Sequence, residues 1–266
     1  MSVIRSAIER ERRGGKGALI CYLTAGYPSP GSFKGYFDAY ADGGADIIEI
    51  GVPFSDPVAD GPTIQATTQR AIEMGVTPIK VLDLVKEARK GRDVPVVLMG
   101  YYNPIFRMGE EEFVRRAVEA RVDGLIVADL PCEESSGLRR ACCRSSLDLI
   151  QLIAPTTSDA RMRRICSASS GYVYLVGALG TTGSRPSLER ELPDLVRRAK
   201  AASGRTPLAV GFGVSRKEHV RQIVALGADG VIVGSAILSR MMEGAGEDDV
   251  RDFIAELKEG CGRAPS

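Results

Sequence analysis

The sequence predicts an α/β protein: a single (β/α)8 TIM barrel spanning residues 1–266, with one extra helix at the N-terminus. Three observations carry this. Eight short apolar runs rich in β-branched residues recur along the chain, segments with apolar residues at three- and four-residue spacing separate them, and no composition shift along the 266 residues suggests a linker. Continuous apolar strands alternating with helices describe a parallel sheet buried on both faces, and eight such units close into a barrel. A doubly wound open sheet would carry a GxGxxG turn after its first strand, and none is present.

The predicted strands are ALICYLT (18–24), DIIEIGV (46–52), VPVVLMG (94–100) and VDGLIVAD (122–129), followed by LDLIQLIA (147–154), GYVYLVG (171–177), TPLAVGFG (206–213) and ADGVIVGSA (228–236). EEFVRRAVEA (111–120) and DLVRRAKAA (194–202) are typical of the helical stretches between them. An amphipathic segment over about 2–13 precedes the first strand and is expected to pack across the barrel bottom.

Composition narrows the class. With 35 basic and 34 acidic residues the net charge is +1, so no overall field favours nucleic acid or an anionic membrane. No stretch approaches the roughly 20 apolar residues that a membrane span requires. The six cysteines show no CxxC pair, which reads as free thiols in a reducing, cytoplasmic compartment.

In such barrels chemistry sits at the C-terminal ends of the strands and in the loops that follow them. The second strand carries an acid, Glu49, among Ile47, Ile48 and Ile50, and a second acid, Asp60, lies in the Pro- and Gly-rich loop after it. Strand alternation puts Glu49 on the face of Ile47, opposite Ile48 and Ile50. If that face points inward, Glu49 is desolvated and its pKa rises above about 4.3, which suits proton exchange near neutral pH. Asp60, in a more polar loop, is expected to remain ionised and to stabilise positive charge. The last three strand-to-helix loops are glycine-rich: GALGTTGS (177–184), GFGVS (211–215) and GSAIL (234–238). Gly213, Gly234 and Ser235 would offer backbone N–H groups to a phosphate dianion, and neither of the last two loops is expected to hold a Lys or Arg before its helix.

Missing residues exclude other chemistry. The one histidine, His219, falls in the helix after the seventh strand, so no histidine cluster for a metal can form. None of the eight lysines falls at the C-terminal end of a strand, where a Schiff-base lysine would stand. Glu49, Asp60, Asp129, Tyr22, Tyr101, Tyr102 and Tyr174 remain at the predicted mouth, so acid–base catalysis by carboxylates is the available mechanism.

The segments IEIGVPFSDPVADGPTIQ (48–65), YLTAGYP (22–28), ADLPCEES (128–135), GTTG (180–183) and GFGVS…GVIVGSAI resemble the tryptophan synthase alpha subunit family over essentially the whole chain. The resemblance implies a lyase that splits indole-3-glycerol phosphate into indole and glyceraldehyde 3-phosphate. Glu49 would be its acid–base glutamate and Asp60 the aspartate facing the indole N–H. Tyr174 would stand near the reacting carbons; Gly183, Gly213, Gly234 and Ser235 would hold phosphate; Tyr22, Ile64, Met99, Ile126 and Ile153 would line the indole pocket. It also implies no metal and no cofactor in this chain, and a pyridoxal-phosphate beta subunit as partner in an α2β2 complex. YYNPIF (101–106), at the active-site end, would supply an apolar docking patch beside PFSDPVAD (53–60). Such a partner would raise the rate by ordering that loop and the loop at 178–190. Gly177 and Ala178 depart from the family, which often has Ser and a larger polar residue there. Two other readings compete: a phosphosugar isomerase or epimerase, which leaves the apolar pocket unexplained, and a non-catalytic subunit that only senses a phosphorylated indole.

Overall fold

The computed structural model describes residues 2–177 and 186–262. In chain order its elements are α1 (Val3–Arg13), β1 (Ala18–Thr24), α2 (Phe33–Asp42), β2 (Ile47–Gly51), α3 (Pro62–Glu73), α4 (Pro78–Ala88), β3 (Val96–Gly100), α5 (Tyr102–Met108), α6 (Glu110–Glu119) and β4 (Gly124–Val127). Then come α7 (Ser136–Arg144), β5 (Asp148–Ile153), α8 (Asp159–Ala168), β6 (Val173–Val176), α9 (Pro186–Ser203), β7 (Leu208–Gly211), α10 (Lys217–Ala225), β8 (Gly230–Val233), α11 (Ser235–Met242) and α12 (Glu247–Glu259). The eight strands pair in chain order, all parallel, and β8 closes on β1. This is the predicted (β/α)8 TIM barrel.

Strand parity divides the core into two layers. Ile20, Ile47, Val97, Ile126, Ile150 and Ile232 meet inside the barrel, while Leu19, Ile48, Ile50, Leu98 and Leu149 face the helices. Burying each such side chain stabilises the fold by about 1.5–3 kcal/mol. The predicted N-terminal helix does close the bottom: Ile4, Ala7 and Ile8 of α1 belong to the inner cluster. Gly124 makes room for this seal, since a Cβ there would stand 2.6 Å from Cδ1 of Ile4.

Except for β1, the strands are shorter than predicted, because polar groups at the barrel floor take over their ends. Asp46 Oδ2 accepts the N–H of Leu19 at 2.7 Å, Asp123 Oδ2 that of Val96 at 2.8 Å, Ser170 Oγ that of Leu149 at 2.8 Å and Asp229 Oδ2 that of Leu208 at 2.9 Å. Pro95 and Pro207 lie just ahead of β3 and β7 and have no N–H for a ladder. At the other end β8 stops at Val233, so Ser235 and Ala236 open α11 instead of extending the strand.

Candidate active site

Glu49 is the third residue of β2. Its register partners are Tyr22 on β1 and Val97 on β3, so it points into the barrel with Ile47 as the parity predicts. It is 1% exposed. No Lys or Arg among the described residues pairs with it; its polar neighbour is the Tyr172 hydroxyl, which donates to Oε2 across 3.5 Å. Burial therefore dominates and raises the Glu49 pKa to about 8; the hydrogen bond from Tyr172 pulls it down and the charge of Asp60 pushes it up.

Asp60 ends the loop after β2, immediately before Gly61 caps α3 and Pro62 begins it. Its backbone is fixed from both sides: its N–H donates to the Pro57 carbonyl at 3.0 Å, and its own carbonyl accepts from Gln65 Nε2 at 2.8 Å. The expected polar surroundings are a correction. Asp60 is 9% exposed, and burial raises its pKa to about 6 against the opposing hydrogen bond from Tyr101. The two carboxyls are still held apart: near neutral pH Glu49 is mostly protonated and Asp60 mostly ionised.

Two tyrosines enclose this pair. Burial raises the hydroxyls of Tyr22 and Tyr174 well above their usual range, and both sense Glu49 and Asp60. Each ring extends over a glycine at the end of an adjacent strand. A Cβ on Gly51 would collide with the Tyr22 hydroxyl, and one on Gly211 would stand 2.6 Å from that of Tyr174. The strand partners of these glycines, Thr24 and Val176, lie two residues beyond Tyr22 and Tyr174.

Met99 and Ile126 are register partners on β3 and β4 and line the barrel interior. Ile64 is half-buried on the first turn of α3. Ile153 is a correction. It packs in the outer layer, against the helices, whereas Leu152 faces the interior, paired with Tyr174. Leu152 and Tyr172 are interior residues that sequence reasoning missed. The spacing of two in Tyr172-Val173-Tyr174 places both rings on one face, and that signal was available. Asp129 accepts the Tyr102 N–H at 2.7 Å and so anchors the start of α5.

At the ends of β7 and β8, Gly213 adopts φ +57°, which favours glycine, and a Cβ there would meet nothing. Gly234 packs so close to Tyr22 that a Cβ would be 3.2 Å from the Tyr22 Cβ. Gly234 and Ser235 begin α11, whose first N–H groups open at the barrel mouth. Gly183 lies outside the described residues. The expectation that neither loop carries a cation before its helix fails at one position: α10 begins at Lys217, so Arg216 is still in the loop, exposed, with its guanidinium 2.9 Å from Nε2 of His219. Among the described residues no group of three or more His, Cys, Asp or Glu could hold a metal ion, and all six cysteines are unpaired thiols.

Buried carboxyls with separated pKa values, set at the C-terminal ends of parallel strands beside glycine turns at helix starts, define a barrel enzyme of the acid–base class. Residues 8–263 match the family described as tryptophan synthase alpha chain, and the chain belongs to that family. It is 47% identical over 260 residues to the tryptophan synthase alpha chain of Halobacterium salinarum, covering 92% of each chain. With that of Methanosarcina barkeri it shares 45% over 256 residues, covering 96% of this chain and 95% of the other. The Saccharomyces cerevisiae protein named tryptophan synthase is 40% identical over 262 residues, which cover 97% of this chain and 37% of that longer one. Among solved structures, a Mycobacterium tuberculosis tryptophan synthase superposes with a TM-score of 0.90 at 37% identity, covering 99% of both chains. An Aquifex aeolicus protein does so with 0.90 at 38%, covering 99% of this chain and 100% of that one.

Proposed function

We propose that the chain cleaves indole-3-glycerol phosphate into indole and glyceraldehyde 3-phosphate, with Glu49 moving the protons and Asp60 holding the ring nitrogen. The observation that carries this reading is an inward-facing glutamic acid, 1% exposed and paired with no Lys or Arg among the described residues, with a second buried carboxyl on the loop after its strand. Burial pushes the pKa of the first up to about 8 and that of the second to about 6. Glu49 starts protonated and delivers its proton to C3 of the indole ring. The resulting indolenine carries positive charge at nitrogen, which the Asp60 carboxylate stabilises. Glu49, now a carboxylate, takes the proton from the hydroxyl on the adjacent glyceryl carbon. The electrons of that O–H bond form the aldehyde, the C–C bond breaks, and its electron pair restores the aromatic ring. Glu49 ends protonated, ready for another turnover. Tyr22, Met99, Ile126, Tyr174 and Leu152 supply an apolar wall for the ring, with Ile64 at its edge, and Gly213, Gly234 and Ser235 receive the phosphate at the start of α11. Gly183 would join that phosphate site.

The test is release of indole from indole-3-glycerol phosphate by the chain alone across pH. With an essential base near 6 and an essential acid near 8, kcat/KM rises through the first value and falls through the second. A profile flat from pH 5 to 9 would remove both carboxyls from the chemistry.

Family membership supports a beta-subunit partner. The yeast relative, only 37% of which this chain covers, has room for such a partner within one polypeptide. We assign the docking patch to the rim beside Asp60, where Val58 is 77% and Phe106 68% exposed. In this reading the complex is α2β2, pyridoxal phosphate belongs to the partner and the chain takes no cofactor of its own. Among the described residues no helix is long and apolar enough to cross a membrane, and a cytoplasmic location fits the reaction. Phe106→Asp should weaken association with the beta subunit by at least about 10-fold, read by titration calorimetry. Unchanged affinity would move the interface elsewhere. Of the loop at 178–190, the other segment such a partner is expected to order, residues 178–185 lie outside the described residues and 186–190 open α9.

A further inference from the structure

Tyr101 joins the end of β3 to the start of α5 and touches the loop that carries Asp60 at three points. Its ring stacks on Phe54 with centroids 5.2 Å apart and planes at 29°. Its hydroxyl oxygen accepts the N–H of Ala59 at 3.1 Å and draws the pKa of the neighbouring Asp60 carboxyl down. The residue is 5% exposed, and its backbone is fixed on the far side: the Ala128 N–H donates to the Gly100 carbonyl at 2.9 Å and the Tyr102 N–H to Asp129 at 2.7 Å. A phenol has one proton. With the Ala59 N–H directed at the oxygen, that proton is free to point at Asp60. The bond pattern therefore has a direction: backbone to phenol, phenol to carboxylate.

We propose that Tyr101 is a positioning residue for Asp60, tying the 52–61 loop to the rigid end of β3 and donating its hydroxyl proton to the Asp60 carboxylate. This rests on the reading that Asp60 meets the substrate as an anion. Burial, and next the charge of Asp60, raise the Tyr101 hydroxyl above its usual range, so it stays a donor throughout the working pH. The ionisable groups that sense Asp60 are Tyr22 from β1, Glu49 from β2, Tyr101 from the β3–α5 junction and Tyr174 from β6; Asp129 in turn faces Tyr101. Of these, Tyr101 is the group that draws the Asp60 pKa down, against the upward push of burial.

The experiment compares kcat/KM for indole release from pH 5 to 9 in the full chain, Tyr101→Phe and Asp60→Asn. Phe keeps the stack on Phe54 and loses the donated proton. Its acid limb should move up by about one pH unit, a roughly 10-fold loss below pH 6 that shrinks towards pH 8. A loss uniform in pH, with the limb in place, would reduce Tyr101 to packing and overturn the proposal. Asp60→Asn tests the underlying reading separately. If it is as active as the parent, the role of Asp60 fails; if it is inactive while the Tyr101→Phe limb stays put, only the clamp fails. Should Tyr101→Phe not fold, Phe54→Leu keeps the hydroxyl but loosens its ring. A smaller shift of the limb in the same direction supports the clamp, and an unmoved limb overturns it.

Discussion

Glu49→Gln leaves the chain folded and able to bind substrate, yet indole release falls by about 10³–10⁴-fold, the upper range for loss of a general acid–base. The amide keeps the shape of the protonated carboxyl and fits the same interior space beside Tyr172. It cannot deliver a proton to C3 or take one from the hydroxyl, so both halves of the proposed cycle stop. KM, read as substrate affinity, should change little, because in the proposed cycle Glu49 meets the reacting carbon and hydroxyl and not the phosphate. The check is steady-state indole release together with substrate binding by calorimetry. If the variant turns over at the parental rate, the proton carrier is another group.

The same substitution should stabilise the protein in alkali. A carboxyl whose folded pKa is about 8 stays protonated in the barrel while the unfolded chain ionises near 4.5. Stability is then lost as pH rises from 4.5 to 8, by about 1.4 kcal/mol per pH unit, and levels off above 8. Glutamine does not titrate. The variant should therefore match the parent at pH 4.5 and exceed it by up to about 5 kcal/mol at pH 9, read from urea midpoints. A gap that does not widen with pH would mean that Glu49 ionises freely in the folded state. A gap that does widen sets activity against stability at one residue: its dehydration suits proton transfer and costs folding free energy.

The barrel was legible because strand and helix periodicities alternate without interruption from Ala18 to Leu257. The inward face of Glu49 was legible because β2 holds a single acid whose parity can be counted from Ile47. β5 offers no such marker. In DLIQLI the polar residues Asp148 and Gln151 fall on opposite faces, so neither face stands out as the inner one, and the sequence places Ile153 in the pocket where the structure has its neighbour Leu152. The burial of Asp60 was hidden for another reason. Its loop is polar in sequence, but the covering side chain, Tyr101, comes from a position about 40 residues further on, and only the closed sheet brings the two together.

The four side-chain bonds at the barrel floor run from β1 to Asp46, from β3 to Asp123, from β5 to Ser170 and from β7 to Asp229. In every case an odd strand is stitched to the short segment just ahead of the even strand that follows it: to the residue directly before it, or, for Ser170, three before. The molecule is thus sewn as four two-strand modules laid side by side. A chain permuted or split between modules, in the turn between α3 and α4 for example, leaves every stitch within one continuous segment, whereas an opening between β1 and β2 leaves the Leu19–Asp46 stitch to join two segments no longer linked through α2. New termini belong at the module boundaries.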